Sequence, residues 1–552
     1  MSVVRRLVSR QLRLPPAKHS AVVRETDLPA RMPDGVVLLA NRWYPAGHDR
    51  GLPTVLMRTA YGRKGLWAFE AGLLAERGFN VVIQSCRGTH GSGGEWEPFR
   101  NEQRDGLATL DWLAEQPWFD GRLGTYGSSY CGLTQYAMAH GAPAGVIGAM
   151  APSVASSDLR PLFFPFGVLA QQTLTSWIYG LDPKGERSLL ATVKHLRAAK
   201  GAHERARVAL PVREADMAVL GRPERFYRDW VDHPDLEDPY WTVLDHRASV
   251  PEQAAPITVH GGWYDFFTPW LLDDLEAMQA AGRPFEATLG PWNHGGGFGD
   301  RITGAVRLYD RVLNGNGAPE RSRPIHVQLE GDSTWWQLAS WPPPAASQQW
   351  HLGPAGSLST TPAGASAPDS FSYDPTDPAP SIGGAALDKG GKADNAVREA
   401  RDDVLVYTSQ PLADDLVVLG RLSAQVHVRC STEHFDVVTR LCVVGADGVS
   451  RNLADGVTRV APGTTTPDGD GVHTVSVELM PLGVRFRRGE RIRLQVGAAL
   501  HPLFARNLGT ADSLHGTATV VSRHEVFHDE QHPSYLVLPV VSLTDGDRVP
   551  RR

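Results

Sequence analysis

The sequence predicts an α/β protein that carries a helical insertion and is followed by an all-β domain. Three observations lead there. Short apolar runs alternate with helical patterns between residues 54 and 150 and again between 256 and 294, which implies parallel βαβ units. From about Ser157 to Arg247 the strand-like alternation stops and apolar residues recur at helical spacing. Beyond about Arg321, after a Gly/Ser/Pro-rich stretch, short alternating strands appear with no helical period, as in a β-sandwich. The expected limits are 1–156 for the first part of the α/β core, 157–247 for the insertion, 248–320 for the second part and 321–552 for the β domain. A chain of 552 residues is too long for one core, so several domains are expected.

In order, Thr54 to Met57 predicts a buried strand that stops at Arg58-Thr59-Ala60-Tyr61-Gly62. Leu66 to Arg77 reads as a helix, Asn80 to Gln84 as a strand, and Leu107, Leu110 and Leu113 mark the next helix. Between them Arg87 to Gly94 is glycine-rich, but it lacks the Lys-Ser/Thr ending of a phosphate loop and reads as structural. Arg122 to Tyr126 is strand-like, Leu133 to His140 helical, and Val146 to Met150 a further strand. In the insertion, Leu189, Leu190, Val193 and Leu196 recur at helical spacing, and the basic residues around them, Arg187 to Arg207, read as a solvated face. Strands resume at Pro256–His260 and Phe285–Leu289 around a helix from Pro269 to Ala280. In the β domain Leu422, Ala424, Val426 and Val428 share a face, as do Val475, Val477 and Leu479, and Ile492, Leu494 and Val496. Residues 353–391 read as irregular loops, and the arginine-bearing residues 1–20 as a surface helix or frayed tail.

Composition narrows the function. A net charge of −6 without a basic block argues against nucleic-acid binding. No run of about 18 apolar residues occurs, so no membrane span is expected. Four cysteines, Cys86, Cys131, Cys430 and Cys442, form no disulfide framework and no C-x-x-C pair. The expectation is therefore a cytoplasmic, reducing setting with no metal and no cofactor.

Chemistry is expected at Gly127-Ser128-Ser129-Tyr130-Cys131-Gly132, between a strand and a helix. That is the context of a nucleophile elbow, where a sharp turn needs small neighbours. Cys131 holds the place of the second glycine in G-x-S-x-G. Ser129 is favoured as nucleophile because Gly127 then falls at the usual offset, with Ser128 as its rival. Parallel sheets put working residues at the carboxyl ends of strands. Asp265 and His294 both stand just beyond strand ends, and the order Ser, Asp, His is that of the α/β-hydrolases.

Together these residues resemble the CocE/NonD hydrolases, relatives of the X-Pro dipeptidyl-peptidases and α-amino-acid ester hydrolases. The likeness rests on Ala60-Tyr61-Gly62, Gln84 to Gly88, Gly127 to Gln135, Gly262 to Asp265, Gly290 to His294, Tyr373 to Pro378 and Asn452 to Gly456. It implies an α/β-hydrolase core, an inserted helical cap and a C-terminal jelly roll. It also implies a Ser129–His294–Asp265 triad, an oxyanion hole from the Tyr130 N–H and the Tyr61 hydroxyl, and an acyl pocket with Trp177, Phe267, Leu503 and Phe504. Phe266 and Phe267 follow Asp265 where the amino-acid ester hydrolases carry acidic residues. That favours neutral, apolar or aromatic acyl groups, with Asp158 left as a carboxylate that could anchor an amine. The expected substrate is a small ester or amide. Acyl transfer, a dipeptidyl-peptidase-like acylase, a non-enzymatic binding role and a homodimer are left open.

Overall fold

The computed structural model describes residues 3–181, 185, 189–316 and 322–549. Arg187 and the expected 320/321 boundary lie outside them. After helix α1 (Val3–Gln11), a hairpin of β1 (Val22–Arg31) and β2 (Val37–Pro45) opens the first sheet. It turns at Asp34-Gly35, where Gly35 has φ +84°. The hairpin was not anticipated, because β1 alternates poorly and carries an irregularity between Glu25 and Leu28.

The core continues with β3 (Thr54–Thr59), α2 (Gly65–Ala75), β4 (Asn80–Ser85), α3 (Glu102–Ala114), β5 (Leu123–Ser128), α4 (Tyr130–Ala139) and β6 (Ala149–Ser153). The expected strand at 146–150 therefore starts three residues later. Val146 and Gly148 are held in a turn by bonds to Pro143 O and Leu123 O, so the apolar run there serves a corner.

The chain then leaves the sheet through α5 (Gln171–Gly180), α6 (Leu189–Val208), α7 (Ala215–Leu220) and α8 (Arg225–Asp232). Departure and return are adjacent, since the Leu159 N–H bonds Leu244 O and the His246 N–H bonds Ser157 O. Of the face that the periodicity of α6 suggested, Val193 and Leu196 are 37% and 67% exposed, while Ala202 and Ala206 are buried. Small residues let α6 approach its neighbours closely, and Val193, Leu196 and Val208 are exposed.

Back in the sheet come α9 (Ser249–Glu252), β7 (Ile257–Tyr264), α10 (Thr268–Ala280), β8 (Phe285–Asn293), α11 (Phe298–Val312), β9 (Ile325–Gln328) and β10 (Trp335–Leu338). The strand order is β1-β2-β4-β3-β5-β6-β7-β8-β9-β10, parallel from β4 to β9. β5 lies mid-sheet and is buried throughout, so its carboxyl end opens at the centre of the rim.

The last third is an all-β domain with an eleven-stranded ladder. Its strand Tyr535–Val540 pairs with both Ala346–Gly353 and Leu416–Cys430, so the ladder closes on itself. Closure leaves fewer of the exposed edges that invite aggregation, with Asp369–Tyr373, paired only to Ser522–Phe527, outside the ring. The three anticipated apolar faces are buried. The stretch 353–391 is less irregular than expected, because Ser357–Ser359 and Asp369–Tyr373 are strands. Ser357–Ser359 pairs with the nearby His351–Gly353 and the distant Thr408–Ser409, and Asp369–Tyr373 pairs with the distant Ser522–Val526.

Candidate active site

The turn after β5 places Ser129 at φ +58°, ψ −125°, a backbone that side chains rarely adopt. Its neighbours permit it. Gly127 has φ +141°, and a Cβ there would sit 2.4 Å from Cys131 Cβ. A Cβ on Gly132 would fall 2.5 Å from Ala155 Cβ. Cys131 keeps its own Cβ because Gly127 has none.

Asp265 follows β7 and His294 follows β8. His294 Nε2 lies 2.9 Å from Ser129 Oγ, and His294 Nδ1 lies 2.7 Å from Asp265 Oδ2. Asp265 is wholly buried and accepts the Phe267 N–H at 2.7 Å on its other oxygen. The imidazole is also stacked on Phe266, with ring centroids 4.5 Å apart. Ser128 points elsewhere: its hydroxyl accepts from Arg301 Nη1 at 2.5 Å. The arrangement can pass a proton from Ser129 to the imidazole, with the carboxylate holding the tautomer and steadying the positive charge.

Tyr61 stands after β3. Its hydroxyl accepts from Trp177 Nε1 at 3.0 Å, which leaves the phenolic proton to donate. The apolar walls around it push the phenol above the usual tyrosine range, so it stays protonated. The Tyr130 N–H is in the first turn of α4, where helices leave N–H groups without an intrahelical acceptor. Its ring is fixed separately, donating to Glu102 at 2.7 Å and accepting the Phe99 N–H at 3.0 Å.

Ser129, His294, Tyr61, Tyr130, Trp177, Phe266 and Phe267 border one pocket of about 460 Å³. Phe99, Phe163 and Trp230 complete its aromatic wall, and among the described residues no Asp, Glu, Lys or Arg lines it. Leu503 and Phe504 belong instead to an adjoining pocket of about 410 Å³ that shares Leu162, Thr173 and Phe266 with the first. Asp158 does not reach the Ser129 pocket. Its carboxylate is bound by Arg160 at 2.8 and 2.9 Å at the foot of the insertion. An aspartate already paired with a neighbouring guanidinium is poorly placed to anchor an amine.

The sequence reading missed Phe99, Phe163, Trp230 and Arg301. Three of them are aromatic residues with no motif around them. Arg301 falls on α11, a helix that the sequence reading did not mark. Among the described residues no group of three His, Cys, Asp or Glu side chains could hold a metal ion. No helix there is long and apolar enough to cross a membrane.

Residues 34–296 match the family model described as X-Pro dipeptidyl-peptidase (S15 family), and residues 316–537 match its C-terminal non-catalytic domain. Among solved structures, an α-amino acid ester hydrolase superposes with a TM-score of 0.79 at 19% identity, covering 96% of this chain and 98% of that one. A CocE/NonD family hydrolase from Staphylococcus aureus gives 0.67 at 16%, covering 95% and 94%. The cocaine esterase of Rhodococcus sp. (strain MB1 Bresler) is 30% identical over 569 residues, 92% of this chain and 97% of the relative. A likeness running nearly end to end through both catalytic and non-catalytic parts means that the chain belongs to the CocE/NonD family of serine hydrolases.

Proposed function

We propose that this enzyme hydrolyses carboxylic esters of neutral, apolar or aromatic acyl groups through an acyl-enzyme on Ser129. The reading rests above all on one observation: the hydrogen-bonded chain Ser129–His294–Asp265, with links of 2.9 and 2.7 Å, opens into a pocket that, among the described residues, no side chain of Asp, Glu, Lys or Arg lines. His294 takes the Ser129 proton as Oγ attacks the carbonyl, then returns it to the leaving alcohol. Charge develops on the carbonyl oxygen, where the Tyr130 N–H and the Tyr61 hydroxyl donate. Water repeats the sequence to release the acid.

An α-aminoacyl or dipeptidyl substrate carries a free ammonium that would be left without a carboxylate in this pocket, and burying an unpaired charge is costly. That is why the ester reading, which the cocaine esterase relative also supports, is preferred over a dipeptidyl-peptidase. Within this reading residues 1–156 and 248–320 form an α/β-hydrolase core, 157–247 its cap and 321–552 a jelly roll, except that β9 and β10 at its start extend the core sheet. The four free cysteines support a reducing compartment.

p-Nitrophenyl esters of one leaving group test it. Benzoyl or medium-chain acyl esters should be cleaved at least about tenfold better than free-amine aminoacyl esters, and all cleavage should vanish in Ser129→Ala. Equal or faster cleavage of the aminoacyl series would overturn the acyl class. Activity that survives Ser129→Ala but is lost in Ser128→Ala would move the nucleophile.

A further inference from the structure

Ser128 is a serine beside the nucleophile that the proposed chemistry leaves without a part. Its hydroxyl accepts from Arg301 Nη1 at 2.5 Å, while Arg301 Nη2 donates to Glu70 Oε1 at 2.7 Å. The other Glu70 oxygen accepts the Tyr126 hydroxyl at 2.7 Å. Arg301 is 10% exposed and Glu70 wholly buried. The guanidinium also lies over the rings of Phe298 and Tyr126, 5.1 and 6.0 Å from their centroids.

The elements that this cluster joins are not arbitrary. Tyr126 and Ser128 belong to β5, which Ser129 directly follows. Glu70 is on α2, and Tyr61 stands in the loop that leads into α2. Arg301 is on α11, and His294 stands in the loop that leads into α11. One side chain therefore ties together the three segments that carry the nucleophile, the imidazole and the phenol. α2 and α11 pack on the same core as Tyr126, through Ala71, Leu74, Ile302 and Val306.

Stability alone does not account for the cluster. A buried ion pair gains little against well-packed apolar residues, because both charges lose water. Here burial pushes the Glu70 carboxyl up despite the neighbouring guanidinium, and among the described residues Arg301 Nε has no hydrogen-bond partner. Such a pair does supply fixed direction and distance.

We propose that Arg301 is a positioning residue, which acts through Ser128 and Glu70 to set the nucleophile turn against the histidine loop and Tyr61. This rests on the esterase reading above. It assigns Ser128 the part of an anchor for the turn.

The test uses the full-length enzyme and the variants Arg301→Met, Arg301→Lys, Ser128→Ala and Arg301→Met with Ser128→Ala. Misplacement of reacting groups by about 1 Å can cost about 100-fold. Arg301→Met should thus lose about 100-fold in kcat with KM within about twofold. Arg301→Lys should recover about tenfold of that, and Ser128→Ala alone should lose about tenfold in kcat. The double variant should be no worse than Arg301→Met, since both remove one link. Crystal structures of Ser128→Ala and Arg301→Met should show Ser129 Oγ and His294 Nε2 separated beyond about 3.5 Å.

Folded variants with kcat within about threefold of wild type, or with the loss confined to KM, would overturn the proposal. If Arg301→Met does not fold, wild-type kcat in Ser128→Ala overturns it. If the wild-type enzyme shows no Ser129-dependent ester cleavage, the functional reading fails instead. The clamp is then decided by the crystal structures, where an unchanged separation of 2.9 Å overturns it.

Discussion

The rim of the sheet and the wall of the cap meet at one pocket, yet they are built on different principles. On the rim, Ser129, Asp265 and His294 each follow a parallel strand, and backbone geometry sets their positions. On the wall, Phe163, Trp177 and Trp230 come from separate stretches of the insertion and meet only through packing. Trp230 lies 4.7 Å from Phe163 and 5.9 Å from Trp177, centroid to centroid. In the proposed reading, chemistry rests on strand ends and selection on the helical layer. Trp177 joins the two, because its indole belongs to the wall and its N–H holds the Tyr61 hydroxyl.

Breaking the rim should have the largest effect. Ser129→Ala or His294→Ala should lower kcat by about 10⁶-fold with KM little changed, measured on a p-nitrophenyl ester. A loss confined to KM would place these groups in binding, and the contrast between rim and wall would fail. Next, Tyr61→Phe should cost about 10²–10³-fold in kcat, equivalent to about 3–4 kcal/mol, because it removes one donor to the developing oxyanion.

The wall should respond in the other constant. Trp230→Leu should raise KM for an aromatic acyl ester by about tenfold, change kcat less, and flatten the preference for aromatic over short acyl groups. It should also lower the melting temperature, because Trp230 is 2% exposed and its replacement leaves a void.

The smallest effect concerns the join between the two regions. Asp274 on α10 accepts the Ser157 N–H at 2.8 Å and the Ser157 hydroxyl at 2.5 Å, where the insertion leaves the core. Burial pushes its carboxyl from 3.8 up to about 7. The folded protein then holds a proton that the unfolded chain has released, so this group's contribution is complete below about pH 4 and is lost as pH rises through about 7. Thermal melts from pH 4 to 9 should show stability falling across that window, and Asp274→Asn should flatten the fall. An unchanged slope in Asp274→Asn would assign it to another group.

Much of the rim was legible because strand ends leave local marks. Gly127, the small residues of the turn and the strand-then-loop settings of Asp265 and His294 are all sequence features. The choice between Ser128 and Ser129 turned on one glycine offset, and the coordinates show the two hydroxyls engaged by different partners, Arg301 and His294. The wall was not legible. Helical periodicity in α6 pointed at Leu196, which faces solvent, and gave no hint that Phe99 would meet Trp177 at 5.4 Å. Leu503 and Phe504 were expected in the acyl pocket and stand in the adjoining one, with Leu162, Thr173 and Phe266 bordering both.

By itself, then, the sequence determined the alternating core, the β domain and the positions where strands end, since these depend on periodicity and turn chemistry between near neighbours. Tertiary structure alone decided which of two serines meets the imidazole, which aromatic rings surround it and what a buried arginine holds in place. Those outcomes depend on side chains far apart along the chain, and whether they touch is set by the packing angles of whole elements, which no local pattern encodes.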